Sequence, residues 1–564
     1  MGLKLTRGAF AHPATSLRNH TGSWRMERPV HLHRPAPCHA ACPAGEDGQA
    51  WLALVAEERY REAWETVVAV NPLPAVTGRV CHHPCEQACN RGHFDEAIAI
   101  HHVERWLGDQ ANAGGWDYPA PANMHHEQSV AVIGSGPAGL SAAWQLTRQG
   151  YQVDLFEALP VAGGLLRSAL PPYRLPRNVL DGELERLLAC GIAFRPGQRL
   201  GRDFSLEELR GNYAAVFLGP GTQRGRDWDI DGATPRDLHV GLDLLKRWVD
   251  VGSIPGWSSA AVIGGGNTAI DLARVLKHSG VKEVHVVTHQ SLPQAGTEQP
   301  ADVMPAIARE IGQAMEEGVI FHEHRGVQRL VLRGEQVVGL ELVHRKELRE
   351  RDGTLRFVSF EGTESLLHVE QVIPAIGQVV ASDGLGAVLG QHDFLSVSAD
   401  GRSAGHPGLY AGGDARGGSG SVSAAIGDGR RAALAIARDL QQRNDPDDRS
   451  VAPIDPALLN LNYFEPQARI HAPVLPVAER SGEAEVIGGL ARQQATGEAH
   501  RCLSCGNCLA CDNCWTLCPD VAVLKTRTPV EDGSYYVFDY DFCKGCGLCA
   551  HECPTAYIVM EAEP

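Results

Sequence analysis

The sixteen cysteines constrain this 564-residue sequence most, because they are clustered. Five fall between Cys38 and Cys89, ten between Cys502 and Cys553, and Cys190 stands alone. Cys508, Cys511, Cys514 and Cys518 precede Pro519 in a Cys-x2-Cys-x2-Cys-x3-Cys-Pro run, and Cys543, Cys546, Cys549 and Cys553 repeat it before Pro554. Disulfides in a secreted chain would need a leader. The first 34 residues carry Lys4, Arg7, Arg18, Arg25, Arg28 and Arg34 against Glu27 alone, with no apolar core segment, so none is read there. A myristoylation-like Met1–Thr6 stretch is taken as a chance match. Metal ligation in a reducing cytoplasm is the expectation, and two full runs ending in Cys-Pro favour [4Fe–4S] clusters over zinc. In such paired runs the fourth cysteine serves the other cluster. Cys508, Cys511, Cys514 and Cys553 are therefore expected to hold one, and Cys518, Cys543, Cys546 and Cys549 the second.

A chain this long exceeds one core. The net charge of −17 disfavours nucleic acid as a partner, and no apolar run is long enough to span a membrane. Apolar spacing from Trp51 to Val68 predicts a helix. Ala120–Asn123 and Gln441–Pro453 read as linkers. The histidine pairs His82-His83, His101-His102 and His125-His126 are read as surface or loop residues, and Cys190 as a buried thiol on an apolar helix.

Two glycine loops occupy the middle. Strand Ser129–Ile133 leads into Gly134-Ser135-Gly136-Pro137-Ala138-Gly139, a helix from Leu140 to Gln149, and strand Gln152–Phe156 ending at Glu157. That is a complete dinucleotide unit: Gly134, Gly136 and Gly139 allow a tight turn, the helix N-terminus faces a pyrophosphate, and Glu157 accepts from ribose hydroxyls. The second unit runs from strand Ala260–Ile263 through Gly264, Gly266, Asn267, Thr268 and Ala269 to a helix Leu272–His278, then strand Glu283–Val287 and Thr288-His289-Gln290. No arginine for a 2′-phosphate and no acid for a ribose follows that strand. NAD(H) is expected there, with NADP(H) left open.

Downstream, Gly412-Gly413-Asp414 after strand-like Leu409–Ala411, with a helix from about Ser423 to Leu440, resembles the second FAD motif of two-dinucleotide flavoproteins, which assigns the first unit to FAD. Cys38-x3-Cys42-Pro43, Asn71-Pro72-Leu73-Pro74, Gly78-Arg79-Val80-Cys81, Cys85-Glu86-x2-Cys89, Arg174-Leu175-Pro176, Ala375-Ile376-Gly377-Gln378 and Ala425-Ile426-Gly427 extend the likeness. Residues 37–440 resemble the small subunit of bacterial glutamate synthase and the matching half of dihydropyrimidine dehydrogenase. The resemblance implies a multidomain chain: an N-terminal α-helical Fe–S domain, two nested α/β Rossmann-like domains and a C-terminal α+β bacterial ferredoxin domain. The boundaries expected are a basic arm 1–36, the helical [4Fe–4S] domain 37–120, FAD domain 128–255 and 371–440 around an NAD(P) domain 256–370, a wrapping linker 441–500 and the ferredoxin 501–564. It also implies Gly164, Leu165, Arg174, Gly377, Gly413, Asp414 and Ala425 as cofactor-binding residues. No side chain serves as acid or base, because FAD performs the hydride transfer.

In this family one cluster takes Cys42, Cys81 and Cys85 with a polar ligand that falls at Glu104; a surface ion pair is the other reading of Glu104. A further cluster needs Cys38, Cys89 and a Cys-x2-Cys pair just upstream of Cys38, which is absent here. The family context of that pair resembles Glu498-Ala499-His500-Arg501-Cys502-Leu503-Ser504-Cys505, near the other end of the chain. Cys502 and Cys505 are expected to complete the set, in cis or from a second copy, giving four [4Fe–4S] clusters, or three if the pair is idle. The tail resembles the small ferredoxin subunit of 2-oxoacid:ferredoxin oxidoreductases. The expected function is an electron-transfer subunit of a hetero-oligomer, linking NAD(H) through FAD and the clusters to a thiamine-dependent 2-oxoacid oxidoreductase core or an aromatic-ring reductase. A stand-alone NAD(P)H:ferredoxin oxidoreductase or a glutamate synthase component is the alternative.

Overall fold

The computed structural model describes residues 6–7, 20–121, 125–228, 230, 238–294, 302–349, 355–386, 388–390, 393–418, 420–443 and 451–563. Most of the myristoylation-like stretch, most of the basic arm, and parts of both expected linkers lie outside the described residues. The described end of the arm is not loose. Thr21–Trp24 make a 3₁₀ turn and β1 (Glu27–His31) pairs antiparallel with the C-terminal strand Ile558–Ala562. That ladder and the Arg25–Glu563 ion pair, with nitrogens at 2.6 and 2.7 Å, satisfy groups that an isolated arm would leave to water.

The helical domain contains α1 (Pro37–Ala41), α2 (Gly48–Ala56), α3 (Tyr60–Val68), α4 (Pro74–Val80) and α5 (Ile100–Gly114). The single helix expected over Trp51–Val68 is two. Glu58 adopts a left-handed φ of 58°, which ends α2 and re-aims the chain. Trp51, Leu52, Val55, Ala63, Trp64 and Val67 then enter one core from both helices. At the crossing of α4 and α5, a Cβ on Gly78 would lie 2.4 Å from the Arg105 nitrogen, and one on Gly108 2.4 Å from the Ala75 nitrogen. Only glycine permits backbones to meet this closely.

Short apolar segments form two parallel sheets. The first takes β2 (Ser129–Ile133), β3 (Gln152–Phe156), β4 (Ala193–Arg195) and β5 (Ala215–Leu218), with the late strand Leu409–Ala411 added beside β5. The second holds β6 (Ser259–Ile263), β7 (Glu283–Val287), β8 (Val319–His322) and the strand Gln371–Pro374, in the order β8, β7, β6, Gln371–Pro374. Helices α6 (Pro137–Arg148) and α7 (Arg177–Leu188) belong to the first unit, and α8 (Asn267–His278) to the second. A helix α9 (Val422–Leu440) follows the returning strand and packs on α6. Because both faces of these sheets are covered, strands such as Val130–Ile133 read as unbroken apolar runs.

Residues 451–500 run back over the molecule. Ile454 donates to Pro35, Val486 to Tyr173, and α10 (Arg492–His500) packs on α2 and α5. Beyond it, strands Val523–Lys525 and Tyr536–Phe538 pair as a small hairpin. From α7, buried Glu183 caps α4 by accepting from Ala75 and Val76 nitrogens at 2.7 and 3.1 Å. Replacing Glu183 with alanine strands the buried Ala75 N–H, while the Val76 N–H keeps the Leu73 oxygen at 3.1 Å, and is expected to cost about 1–3 kcal/mol in denaturant unfolding.

Candidate functional site

One cavity of about 1080 Å³ lies along the carboxyl ends of the first sheet and reaches the second domain. Gly134, Gly136, Glu157, Gly164, Leu165, Arg174, Asn267, Thr268, Gly413, Asp414 and Ala425 line it. The turn after β2 explains the glycines. Gly134 takes φ of 93°, and a Cβ on Gly139 would sit 1.8 Å from the Gly134 oxygen, so α6 can start directly against the strand. Glu157 is buried and holds the loop: its oxygens accept from the Ser135 nitrogen at 2.9 Å, the Ser135 hydroxyl at 2.5 Å and the Leu159 nitrogen at 2.9 Å. Asp414 enters from the far side, where burial and the neighbouring Asp428 raise its carboxyl. Two glycine-lined turns, two carboxylates and the free start of α6 facing one long cavity fit a flavin dinucleotide.

The nicotinamide loop sits at the edge of that space. Gly264 has φ of 142°, and a Cβ there would meet the Ala375 oxygen at 2.4 Å. Gly264, Gly266, Ala269 and Gly377 do not line the cavity, whereas Asn267 and Thr268 do. Thr268 accepts from Gln378 at 3.0 Å, and Asn267 bonds His82 at 2.9 Å. Arg174, expected at the cofactor, donates to both oxygens of Asp271 on α8 at 2.7 and 2.8 Å. It therefore ties the two dinucleotide domains together while lining the cavity. Past β7 the Gln290 amide oxygen lies 2.2 Å from where a Cβ on Gly265 would be. His289 faces Glu347 at 3.5 Å and His324 faces Asp302 at 3.7 Å, and Arg345 also lies by His289, so later segments bring both acids and a cation to this loop.

The cysteines gather in four groups, three of four thiols and one of three with Glu104. Burial, and then the adjacent Cys502, Cys89 and Cys505, push the Cys38 thiol well up. Cys502 and Cys505 are likewise raised by burial, to about 12 and about 11, next to Cys89. These four thus meet within one chain. Cys42, Cys81 and Cys85 share a second pocket with Glu104, each shifted upward by burial and by that carboxylate. Cys514 faces Cys508, Cys511 and Cys553. Cys549 faces Cys518, Cys543 and Cys546. Among the described residues no three His, Cys, Asp or Glu converge on a point for a single ion. A cubane asks for something else, since each thiolate takes its own iron, and sets of four thiols, or of three thiols with Glu104, fit that demand.

Several expectations change. Glu104 makes no surface ion pair. It is buried, accepts from Thr77 and from Asn71 at 3.1 Å, and burial together with Glu46 raises its carboxyl well above the usual range. Its neighbour Glu46, raised by burial to about 7, also accepts from Asn71, at 2.7 Å. Asn71 therefore organises both acids, which gives the Asn71-Pro72-Leu73-Pro74 motif a physical role. His101 and His102 are buried, not on the surface, and His101 stacks on His83 with ring centres 3.6 Å apart. Cys190 lies just past the end of α7 and is only partly buried, its thiol donating to the Arg186 oxygen at 3.3 Å. Glu498 and Arg501 explain the displaced cysteine motif. Glu498, fully buried, accepts from Ala99 at 2.8 Å, Ile470 at 2.9 Å and Arg501 at 2.5 Å, while Arg501 donates to the Glu96 oxygen at 2.6 Å.

Residues 128–429 match the pyridine nucleotide-disulphide oxidoreductase family. The chain belongs to that family. Residues 19–116 match the dihydropyrimidine dehydrogenase domain II 4Fe-4S family, and 536–556 a 4Fe-4S binding domain. It is 35% identical over 83% of its length, and 70% of the relative's, to the NADP(+)-dependent formate dehydrogenase subunit beta of Moorella thermoacetica. It is 33% identical, over 85% of its length and 77% of the relative's, to the NADPH-Fe(3+) oxidoreductase subunit beta of Geobacter sulfurreducens. The glutamate synthase [NADPH] small chain of Mycobacterium tuberculosis matches at 32% over 72% of this chain and 85% of its own. The chain is an NAD(P)H-dependent flavin and iron–sulfur oxidoreductase, as the resemblance implied. Among the described residues no helix is long and apolar enough to cross a membrane.

Removing Glu498 as alanine leaves the buried Arg501 with only the longer ion pair to Asp95 at 3.2 Å and strands the Ala99 and Ile470 N–H groups, a loss expected at about 3–5 kcal/mol. The same variant, and the Cys502→Ala/Cys505→Ala pair, should each lower bound iron by about four atoms per chain and spare the ferredoxin signals. Unchanged iron in the cysteine variant rejects the cis set.

Proposed function

We propose that this chain is the electron-transfer subunit of a larger redox complex, carrying electrons between a nicotinamide dinucleotide and a partner protein through FAD and four [4Fe–4S] clusters. The meeting of Cys38 and Cys89 with Cys502 and Cys505 carries the reading, because it joins the flavin half of the chain to the ferredoxin half. FAD, when bound, exchanges two electrons with a nicotinamide and single electrons with clusters. The residues that would hold the groups form a series. Cys81 donates to Ser423 at 3.4 Å beside the cavity wall. Cys42, Cys81, Cys85 and Glu104 would hold the first cluster, and Cys38, Cys89, Cys502 and Cys505 the second. Cys508, three residues after Cys505, opens the third set, and Cys514 of that set faces Cys549 of the last. No proton-transfer side chain is required along this path.

For the partner, the ferredoxin-like tail favours a 2-oxoacid oxidoreductase core. The names of the Moorella and Geobacter relatives favour a formate-oxidising or ferric-reducing assembly instead. Anaerobic purification with identification of co-purifying chains separates these. A thiamine-binding core supports the first, a formate-oxidising subunit the second, and a lone chain that reduces free ferredoxin supports the stand-alone alternative.

For the nicotinamide, we place NAD(H) at the second loop. Gln290 packs over Gly265, and beside the two nearby histidines the carboxylates of Glu347 and Asp302 outnumber Arg345, which disfavours a 2′-phosphate. The relatives are named for NADP(H), so the comparison is decisive. NADH is expected to give the higher kcat/KM, and a strong NADPH preference in steady-state kinetics overturns the assignment.

A further inference from the structure

The proposed electron-transfer role requires an outlet, and the ligand set at the end of the series, Cys518, Cys543, Cys546 and Cys549, has an unusual neighbour. Residues 20–27 come from the opposite end of the chain and lie across its ligand loop. Gly22 donates to the Asp541 oxygen at 3.0 Å, and Arg25 to the Cys543 oxygen at 3.4 Å. A Cβ on Gly545 would sit 2.3 Å from the Glu27 oxygen. Arg25 itself is anchored on Glu563. The two residues flanking Arg25 are large and apolar, yet Trp24 is 69% and Met26 83% exposed, with Leu548 of the ligand loop at 36%. Folding has had every chance to bury them against the domain they overlie. Tryptophan and methionine left in water beside a redox centre are what a protein-binding face presents.

Charge selects the occupant. Glu27, Asp541 and Glu561 are exposed around this face. Among the described residues no ion pair engages them, while Arg25 is paired with Glu563 and Lys544 with Asp520 at 3.2 Å; Arg28 lies over the Tyr540 ring opposite Glu561, so acids stay in excess on this face. We propose that Trp24, Met26 and Leu548 form the docking surface for a one-electron redox protein that presents an apolar centre ringed by basic residues. This rests on the electron-transfer reading and adds where the partner binds and what it looks like. A second exposed group, Leu458, Tyr463 and Leu509, lies on the side of the third set, with Tyr463 by Cys511, and serves as the control.

Oxidised cytochrome c, a basic haem protein, is the probe. Its binding to the anaerobic, cluster-loaded chain is followed by titration calorimetry at low and high salt. The wild type should bind at low salt and weaken as salt rises. Trp24→Ser/Met26→Ser should lower the affinity by roughly 10-fold or more with iron content unchanged, and Leu458→Ser/Tyr463→Ser should match the wild type. Equal affinity in the Trp24/Met26 variant, a loss confined to the control variant, no wild-type binding, or tighter binding of an acidic flavodoxin each overturns the proposal. Bleaching of the cluster absorbance by NAD(P)H without any partner tests the electron-transfer reading separately. Bleaching without a docking defect defeats only the surface, and failure to bleach defeats the function.

Discussion

The buried pair of Glu498 and Arg501 is the contact on which the assembly depends. Cys38 and Cys505 are separated by more than four hundred residues, and closing such a loop is entropically costly before any thiol can share a cluster. The pair answers that cost with directed bonds. Glu498 collects two backbone N–H groups from different segments as well as the guanidinium, and Arg501 reaches Asp95 and the Glu96 carbonyl. Neither charge is solvated, so either alone would be strongly unfavourable, and the register of α10 against the helical domain is fixed by the requirement that both be paired. Cys502 follows Arg501 directly and inherits that position.

A second buried network performs the same task between the dinucleotide domains. Arg174 meets Asp271, and Arg274 meets Glu317 at 2.7 Å and also Glu310, while Arg480 of the wrapping segment reaches Glu317 at 3.0 Å. Such networks add little net stability compared with apolar packing, but a misplaced domain leaves charges unmatched. In a molecule whose cavity spans two domains, orientation is the property worth specifying. Residues 451–500 carry little hydrophobic pattern for this reason: Arg469, Arg480 and Glu485 attach to other domains through polar contacts instead of contributing a core of their own.

Local signals were legible and distant ones were not. The glycine loops, their strands and the cysteine runs follow from spacing, since tight turns and ligand loops are built within a few residues. Glu58 shows the limit: a continuous apolar period from Trp51 to Val68 is compatible with one helix or two, and only the shared core decides. His101 and His102 were misread because polarity suggests a surface, whereas Glu86 and Arg309 give His101 buried partners at 2.5 and 3.2 Å. The carboxylates near the nicotinamide loop, Asp302 and Glu347, come from segments that no local window could associate with Gly264.

The displaced cysteine pair changes what a cluster means for this fold. Where all four ligands lie in one domain, iron stabilises that domain alone. In the proposed set two ligands come from the helical domain and two from the segment leading into the ferredoxin, so binding free energy of the group would become docking free energy between them. The neighbouring contacts point the same way. Asn90 donates to Cys505 at 3.7 Å, Gln49 to Ser504 at 2.7 Å, and Gly506 to Thr555 at 2.9 Å, linking the helical domain, the cysteine pair and the ferredoxin in sequence. With the N-terminal strand β1 also completed by the last strand of the chain, the ferredoxin is tied to the helical half at two separate places. A ferredoxin on a flexible tether would present its ligand sets at variable distance from the rest. Held at two points, it keeps the cysteine groups in a fixed series, which is the condition that the proposed electron route from the flavin half requires.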